Sequence, residues 1–124
     1  MTRPRVLLAD DHPGLIAALG RLFAPDHEVV GSVEDGARLL EEAARLQPDV
    51  IVLDLFMPAM NGLDACRALT RMLPRTRIIV LTAEDDAEVK QVALSAGAFA
   101  FIEKRAVATD LLPAVRAACG SGSQ

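Results

Sequence analysis

There is no tryptophan and no tyrosine in these 124 residues, and phenylalanine occurs only four times. Any core must therefore be built from aliphatic side chains. Cysteine is scarce: Cys66 and Cys119 are too few for a disulfide framework, and neither falls in a metal-ligand spacing. Both read as small buried or half-buried thiols, and a reducing cytoplasm is their natural compartment. His12 and His27 read as surface or loop residues, with no histidine pair to favour zinc. Positive charge is in deficit, with a net charge of -4, which argues against direct nucleic-acid binding. No apolar stretch approaches the roughly 20 residues that a membrane helix needs. The start, Met1-Thr2-Arg3-Pro4-Arg5, leads only into a short apolar strand and is unlike a signal peptide.

What is present is a regular alternation. The length fits one domain with a real core and no staples. Apolar runs at Val6–Ala9, Val50–Leu53, Ile78–Leu81 and Phe99–Ile102 read as strands. Glu28–Val33 reads as a weaker one, interrupted by Gly31. Between them lie stretches of helical period: Pro13–Phe23, one opened by Asp35 or Gly36 and ended by Gln47-Pro48, Leu63–Leu73 and Asp86–Ala96. Gly97 suits a helix C-terminus. Thr109 is the expected N-cap of a last helix running to about Cys119, with Pro113 near its first turn. Residues 57–62 read as an irregular loop. Strands that are unbroken apolar runs are buried on both faces, which implies a parallel sheet covered by helices. The expectation is an α/β fold, a five-stranded parallel (βα)5 sheet for which right-handed crossovers leave few strand orders; the flavodoxin-like order 2-1-3-4-5 is favoured among them together with the resemblance given below. Residues 1–119 form the domain, and 120–124 read as a linker or chain end.

Polar groups stand where the strands end: Asp10 and Asp11, Asp54, Thr82 and Lys104. In an open parallel sheet, ligands bind at the carboxyl ends of the strands. Three carboxylates held together repel, and one tends to protonate unless a cation sits among them. An all-oxygen site with positions open to water suits Mg2+ better than a full calcium cage. A carboxylate such as Asp54 can attack phosphorus, and phosphoryl transfer needs positioning and charge neutralisation above all. Lys104 supplies a compact positive charge, and Thr82 a hydroxyl.

Four segments carry a resemblance: Leu8-Ala9-Asp10-Asp11-His12, Asp54-Leu55-Phe56-Met57-Pro58 with Asn61-Gly62, Val80-Leu81-Thr82-Ala83, and Gly97 to Lys104. In that order they resemble the receiver domain of two-component response regulators over essentially the whole chain. The resemblance implies that Asp54 is the phosphoacceptor. It implies that Asp10 and Asp11 hold Mg2+, with Asp54 and the backbone carbonyl of Phe56. Lys104, Thr82 and the backbone N–H of Ala83 then bind the phosphoryl group, and Thr82 and Phe101 form the switch. Asp10-Asp11-His12, and Arg105 after the lysine, resemble the NarL/FixJ-like subfamily, which usually carries a LuxR-type DNA-binding output domain. Implied partners are a sensor histidine kinase and a second copy on phosphorylation. DNA would be reached only through an output domain, and no membrane is involved. The dimer face stays open between the α4-β5-α5 and α1-α5 surfaces. An apolar Phe56, where chemotaxis-type regulators often place a polar group, implies slow loss of the phosphoryl group.

Each residue also has a plainer reading. Asp10 and Asp11 can be a cap and a turn residue, Lys104 a solvated surface lysine, Thr82 a strand-end hydroxyl and Phe101 a core ring. Glu84-Asp85-Asp86 suits a solvated helix start. Three alternatives compete with a regulator's input half: a stand-alone phosphorelay receiver, an aspartate phosphatase of the haloacid dehalogenase kind, and a receiver-like module that never takes phosphate. The phosphatase reading is weakened because Asp54-Leu55-Phe56 lacks a second carboxylate. The protein is otherwise expected to be no enzyme beyond promoting its own phosphorylation.

Overall fold

The computed structural model describes residues 3–57, 60–83 and 86–120. Pro58-Ala59, Glu84-Asp85 and the linker-like residues 121–124 lie outside them. Five strands, β1 (Arg5–Ala9), β2 (Glu28–Val33), β3 (Val50–Asp54), β4 (Arg77–Thr82) and β5 (Ala100–Glu103), form one parallel sheet in the order β2-β1-β3-β4-β5. This is the expected flavodoxin-like order. Five helices cross over between and after them: α1 (Pro13–Phe23), α2 (Gly36–Leu46), α3 (Gly62–Met72), α4 (Ala87–Ser95) and α5 (Val107–Gly120).

Alternate strand residues serve opposite layers. Leu7, Ile51, Leu53, Ile78 and Val80 pack with Leu39, Ala43, Cys66, Leu69 and Ala93, the inner faces of α2, α3 and α4. Val6, Leu8, Val50, Val52, Ile79 and Leu81 pack with Leu19, Phe23, Leu111 and Val115 of α1 and α5. The middles of β1, β3 and β4 are thus unbroken apolar runs because both faces of those strands are covered. The aliphatic core contains one buried aromatic, Phe23.

Several expectations need correction. β2 is not broken at Gly31. It runs through with an irregularity, Val6 pairing Val29 and Leu7 pairing Gly31, so that Val30 is the extra residue. The loop expected over residues 57–62 contains a short antiparallel ribbon, Phe56–Met57 against Met60–Asn61. Phe99 precedes β5, is 39% exposed, and carries the Arg77 guanidinium 5.7 Å over its ring. Thr109 is not an N-cap. The chain leaves β5 through a 3-10 turn at Lys104–Ala106 and is helical from Val107. The Thr109 hydroxyl instead donates to the Ala106 carbonyl, and Pro113 falls in the second turn of α5. Gly120 belongs to α5, not to a linker. His27 is buried rather than a surface residue, edge-on to Phe23 with its ring centroid 5.3 Å away.

Candidate functional site at the sheet rim

Strand register brings the polar residues level. Ala9 pairs Leu53 and Ala9 pairs Val33, so Asp10 emerges beside Asp54. Asp54 pairs Leu81, the residue before Thr82, and Thr82 pairs Glu103, the residue before Lys104. Rigid ladders therefore set the spacing, and each side chain needs only its own rotamer to reach the centre.

Asp10 and Asp54 are almost fully buried, and Asp11 is one-third exposed. Lys104 Nζ lies 3.0 Å from Asp10 Oδ2 and 3.2 Å from Asp54 Oδ2. The Phe56 backbone N–H donates to Asp54 Oδ1 at 3.1 Å, while the Phe56 ring stands 65% exposed. Thr82 is buried at the end of β4, and Ala83 beside it is exposed. Phe101 is half-buried against the layer of α2, α3 and α4. Phe101 thus sits two strands away from Asp54, with β4 between them, and outside the charged cluster.

Burial pushes the Asp54 carboxyl above its ordinary value, and the charge of Asp10 adds to this. The Phe56 N–H and Lys104 oppose without reversing it. Burial alone would lower the Lys104 ammonium. The close contact with Asp10 and the charges of Asp54 and Asp10 outweigh it, so Lys104 is held above its usual value.

One residue was missed in the sequence. His12 is 65% exposed, yet its Nδ1 lies 2.8 Å from Asp10 Oδ1, 3.1 Å from Asp11 Oδ1 and 3.4 Å from Lys104 Nζ. Its place as the residue before α1, two after Asp10, was the available signal. Asp10, Asp11, His12 and Asp54 each offer one donor atom within 4.8 Å of the others.

The donor set fits a divalent cation. Three carboxylates against one ammonium leave two negative charges when all are ionised. Asp10 Oδ2 and Asp11 Oδ1 are buried oxygens that receive no well-directed hydrogen bond. Lys104 is close to the first and His12 to the second, but neither contact saturates them.

The chain belongs to the response regulator receiver domain family, whose model matches residues 6–116. It is 38% identical over 116 residues to the transcriptional regulatory protein LiaR of Bacillus subtilis (strain 168), covering 92% of this chain and 55% of that one. It is 39% identical over 115 residues to the nitrate/nitrite response regulator protein NarL of Escherichia coli (strain K12), covering 91% of this chain and 53% of that one. Among solved structures, the signal receiver domain of the putative response regulator NarL from Mycobacterium tuberculosis matches with a TM-score of 0.89 at 34% identity, over 98% of this chain and 99% of that one. The NarL-type likeness read from Asp10-Asp11-His12 is thus matched by the relatives. The chain spans about half the length of the curated relatives it matches. Among the described residues, no helix is long and apolar enough to cross a membrane.

Proposed function

We propose that this chain is the phosphoacceptor switch of a two-component system, and that Asp54 takes a phosphoryl group from a sensor histidine kinase. The carrying observation is the Asp54 carboxylate, buried at the strand end with Lys104 Nζ 3.2 Å away and two further carboxylates within reach. An Asp54 oxygen attacks phosphorus, the P–N bond of the donor phosphohistidine breaks, and the imidazole leaves with the electron pair. Lys104, already aimed at Asp54, pairs with a phosphoryl oxygen. Thr82 and the Ala83 N–H receive the others. Asp10, Asp11, Asp54 and the Phe56 carbonyl would hold Mg2+. When bound, Mg2+ neutralises the excess negative charge of the pocket and of the phosphoryl oxygens.

The added charge draws Thr82 inward, and Phe101 turns into the space released, which reshapes the α4-β5-α5 face. Either that face or the α1-α5 face then pairs two copies in the cytoplasm. Relatives named as transcriptional regulators, at about twice this length, support a DNA-binding output domain as the target. A free-standing relay receiver would use the same chemistry. The phosphatase alternative has no observation in its favour, since an exposed phenylalanine stands two residues after Asp54.

The test is incubation with acetyl phosphate and Mg2+ followed by intact mass measurement. A gain of one phosphoryl group, lost in Asp54→Asn and on chelation, is expected. No gain, together with unchanged Thr82 and Phe101 resonances on adding beryllofluoride, would leave a receiver-like module that takes no phosphate.

A further inference from the structure

The acidic rim has a basic counterpart at the other end of the sheet. Arg3 precedes β1, Arg75 lies in the turn between α3 and β4, and Arg77 opens β4. All three line one cavity of about 310 Å³, bounded on another side by Pro4 and by Ala118 and Cys119 near the end of α5. The backbone beneath them is fixed. The Arg77 N–H donates to the Asp49 carbonyl at 3.0 Å, and the Asp49 N–H to the Arg5 carbonyl at 2.9 Å. Beside Arg75, the Thr76 hydroxyl donates to the Pro48 carbonyl at 2.7 Å. Two of the side chains are also held, yet keep donors free. Arg3 Nη1 donates to the Ala24 carbonyl at 3.1 Å, and the Arg77 guanidinium lies over the Phe99 ring. A guanidinium carries five N–H donors, so neither contact uses it up.

The charge in this cavity is not balanced from within. Arg45, Arg67 and Arg105 each pair with a carboxylate, whereas Arg3, Arg75 and Arg77 form no ion pair among the described residues. Asp49 is the one carboxylate among the residues that line the cavity, and its Oδ2 already accepts the Arg5 N–H at 2.8 Å. The carbonyl end of α5 adds about half a negative charge. Burial pushes the Cys119 thiol up, so it adds none. Three guanidiniums against these leave an excess of about 1.5 positive charges, in a chain whose net charge is -4. We propose that this cavity is an anion site for a phosphate dianion, either free or carried on a small organic body. Guanidiniums match phosphate oxygens in bidentate pairs, and several of them gathered in a concave wall focus the field on one anion. The volume lies at the small end of ligand cavities and leaves room beside a phosphate for a few carbons, which Pro4 and Ala118 can cover. β3 runs from Val50 to Asp54, so about 13 Å separates the two rims. The anion site therefore needs neither Mg2+ nor the phosphoacceptor.

The test is a titration of the 15N-labelled chain with glycerol 3-phosphate and with inorganic phosphate, a chelator present and the ionic strength held with KCl. The backbone amides of Asp49, Arg75, Arg77 and Cys119 should shift and saturate, and should do so equally in Asp54→Asn. Arg75 is exposed in its turn and has no side-chain partner among the described residues, so Arg75→Gln should keep the wild-type spectrum elsewhere. It should weaken binding about tenfold, the loss of one charge-assisted pair. Saturation by either probe supports the site, and the tighter of the two tells an ester from the free anion. No saturating shift, shifts that KCl alone reproduces, full affinity in Arg75→Gln, or shifts confined to the rim around Asp54 would each overturn the inference. None of these results bears on phosphorylation of Asp54, which is read separately with acetyl phosphate and Mg2+.

Discussion

Asp54→Asn should make this protein more stable, although it removes one of the two carboxylates that Lys104 contacts. Asp10, Asp11 and Asp54 place donor oxygens within 4.8 Å of one another. At an effective dielectric of about 20, each repulsion involving Asp54 is worth about 3.5 kcal/mol, and the two together about 7 kcal/mol. The attraction of Lys104, 3.2 Å away, is worth about 5 kcal/mol on the same scale. Neutralising Asp54 therefore leaves a net relief of about 2 kcal/mol, and lifting the desolvation of a buried charge adds in the same direction. Asparagine keeps an oxygen to accept the Phe56 N–H, and Lys104 keeps Asp10. In a chain of this length the change corresponds to a rise in melting temperature of about 8 °C. The pH dependence has a fixed sign. Asp54 is held above its ordinary value near 3.8, chiefly by burial. The stability that its neutral form carries is full below that value and is lost as pH rises through the raised one. The gap between variant and wild type should open as pH rises through that raised value. Mg2+ at ten times its dissociation constant should narrow it by stabilising the wild type by about 1.4 kcal/mol. Calorimetric melting without divalent ions is the assay. A variant that melts at or below the wild type at pH 8, or a gap that widens toward acid, would refute the charge-crowding argument.

Phe56→Asn exposes a polar group beside the acceptor. It should leave stability within about 0.5 kcal/mol, because the ring is already 65% exposed, and shorten the aspartyl-phosphate lifetime; an unchanged decay rate counts against the water-excluding role. Gly62→Ala would place a methyl on the Leu55 carbonyl oxygen and 2.7 Å from its Cα. Denaturant unfolding should show a loss of about 2 to 3 kcal/mol, with weaker Mg2+ binding, because Leu55 directly follows Asp54. His27→Leu removes a buried Nδ1 that has no hydrogen-bond partner. The urea midpoint should stay level or rise by the equivalent of up to about 1 kcal/mol, the edge contact with Phe23 being lost against it. A drop of that size would show that the imidazole is satisfied.

The sheet was legible because its strands are buried on both faces. Leu7 and Ile51 serve one layer while Leu8 and Val52 serve the other, so the sequence shows unbroken apolar runs, each ended abruptly by a polar residue. That punctuation also marked the rim, and Asp10, Asp54 and Lys104 do converge. Local signals misled where the neighbouring chain had already chosen a conformation. Thr109 looks like a cap, but the backbone is helical before it is reached. The two histidines failed for opposite reasons. His27 is buried by the fold of the loop after α1, where its own N–H is tied to the Phe23 carbonyl. His12 is as exposed as expected, but the field of three carboxylates orients it. Neither burial by a turn nor orientation by distant charges has a periodicity to read.

The same register that makes the rim legible decides which parts of it can respond to a phosphoryl group. Asp54 is the last residue of β3, paired to Leu81, and its carboxylate is tied to the Phe56 N–H. These groups have little freedom to relax when charge arrives. Thr82 is the last residue of β4, with exposed Ala83 after it, and Lys104 opens a 3-10 turn rather than sitting in a ladder. Phe101 is in the ladder, but its ring is only half-buried. The acceptor carboxylate is thus held by a backbone N–H and a neighbouring ammonium, whereas exposed Ala83 follows Thr82 and the Phe101 ring is only half-buried. A switch requires a fixed acceptor, so that the added charge is the variable to which the neighbouring groups respond.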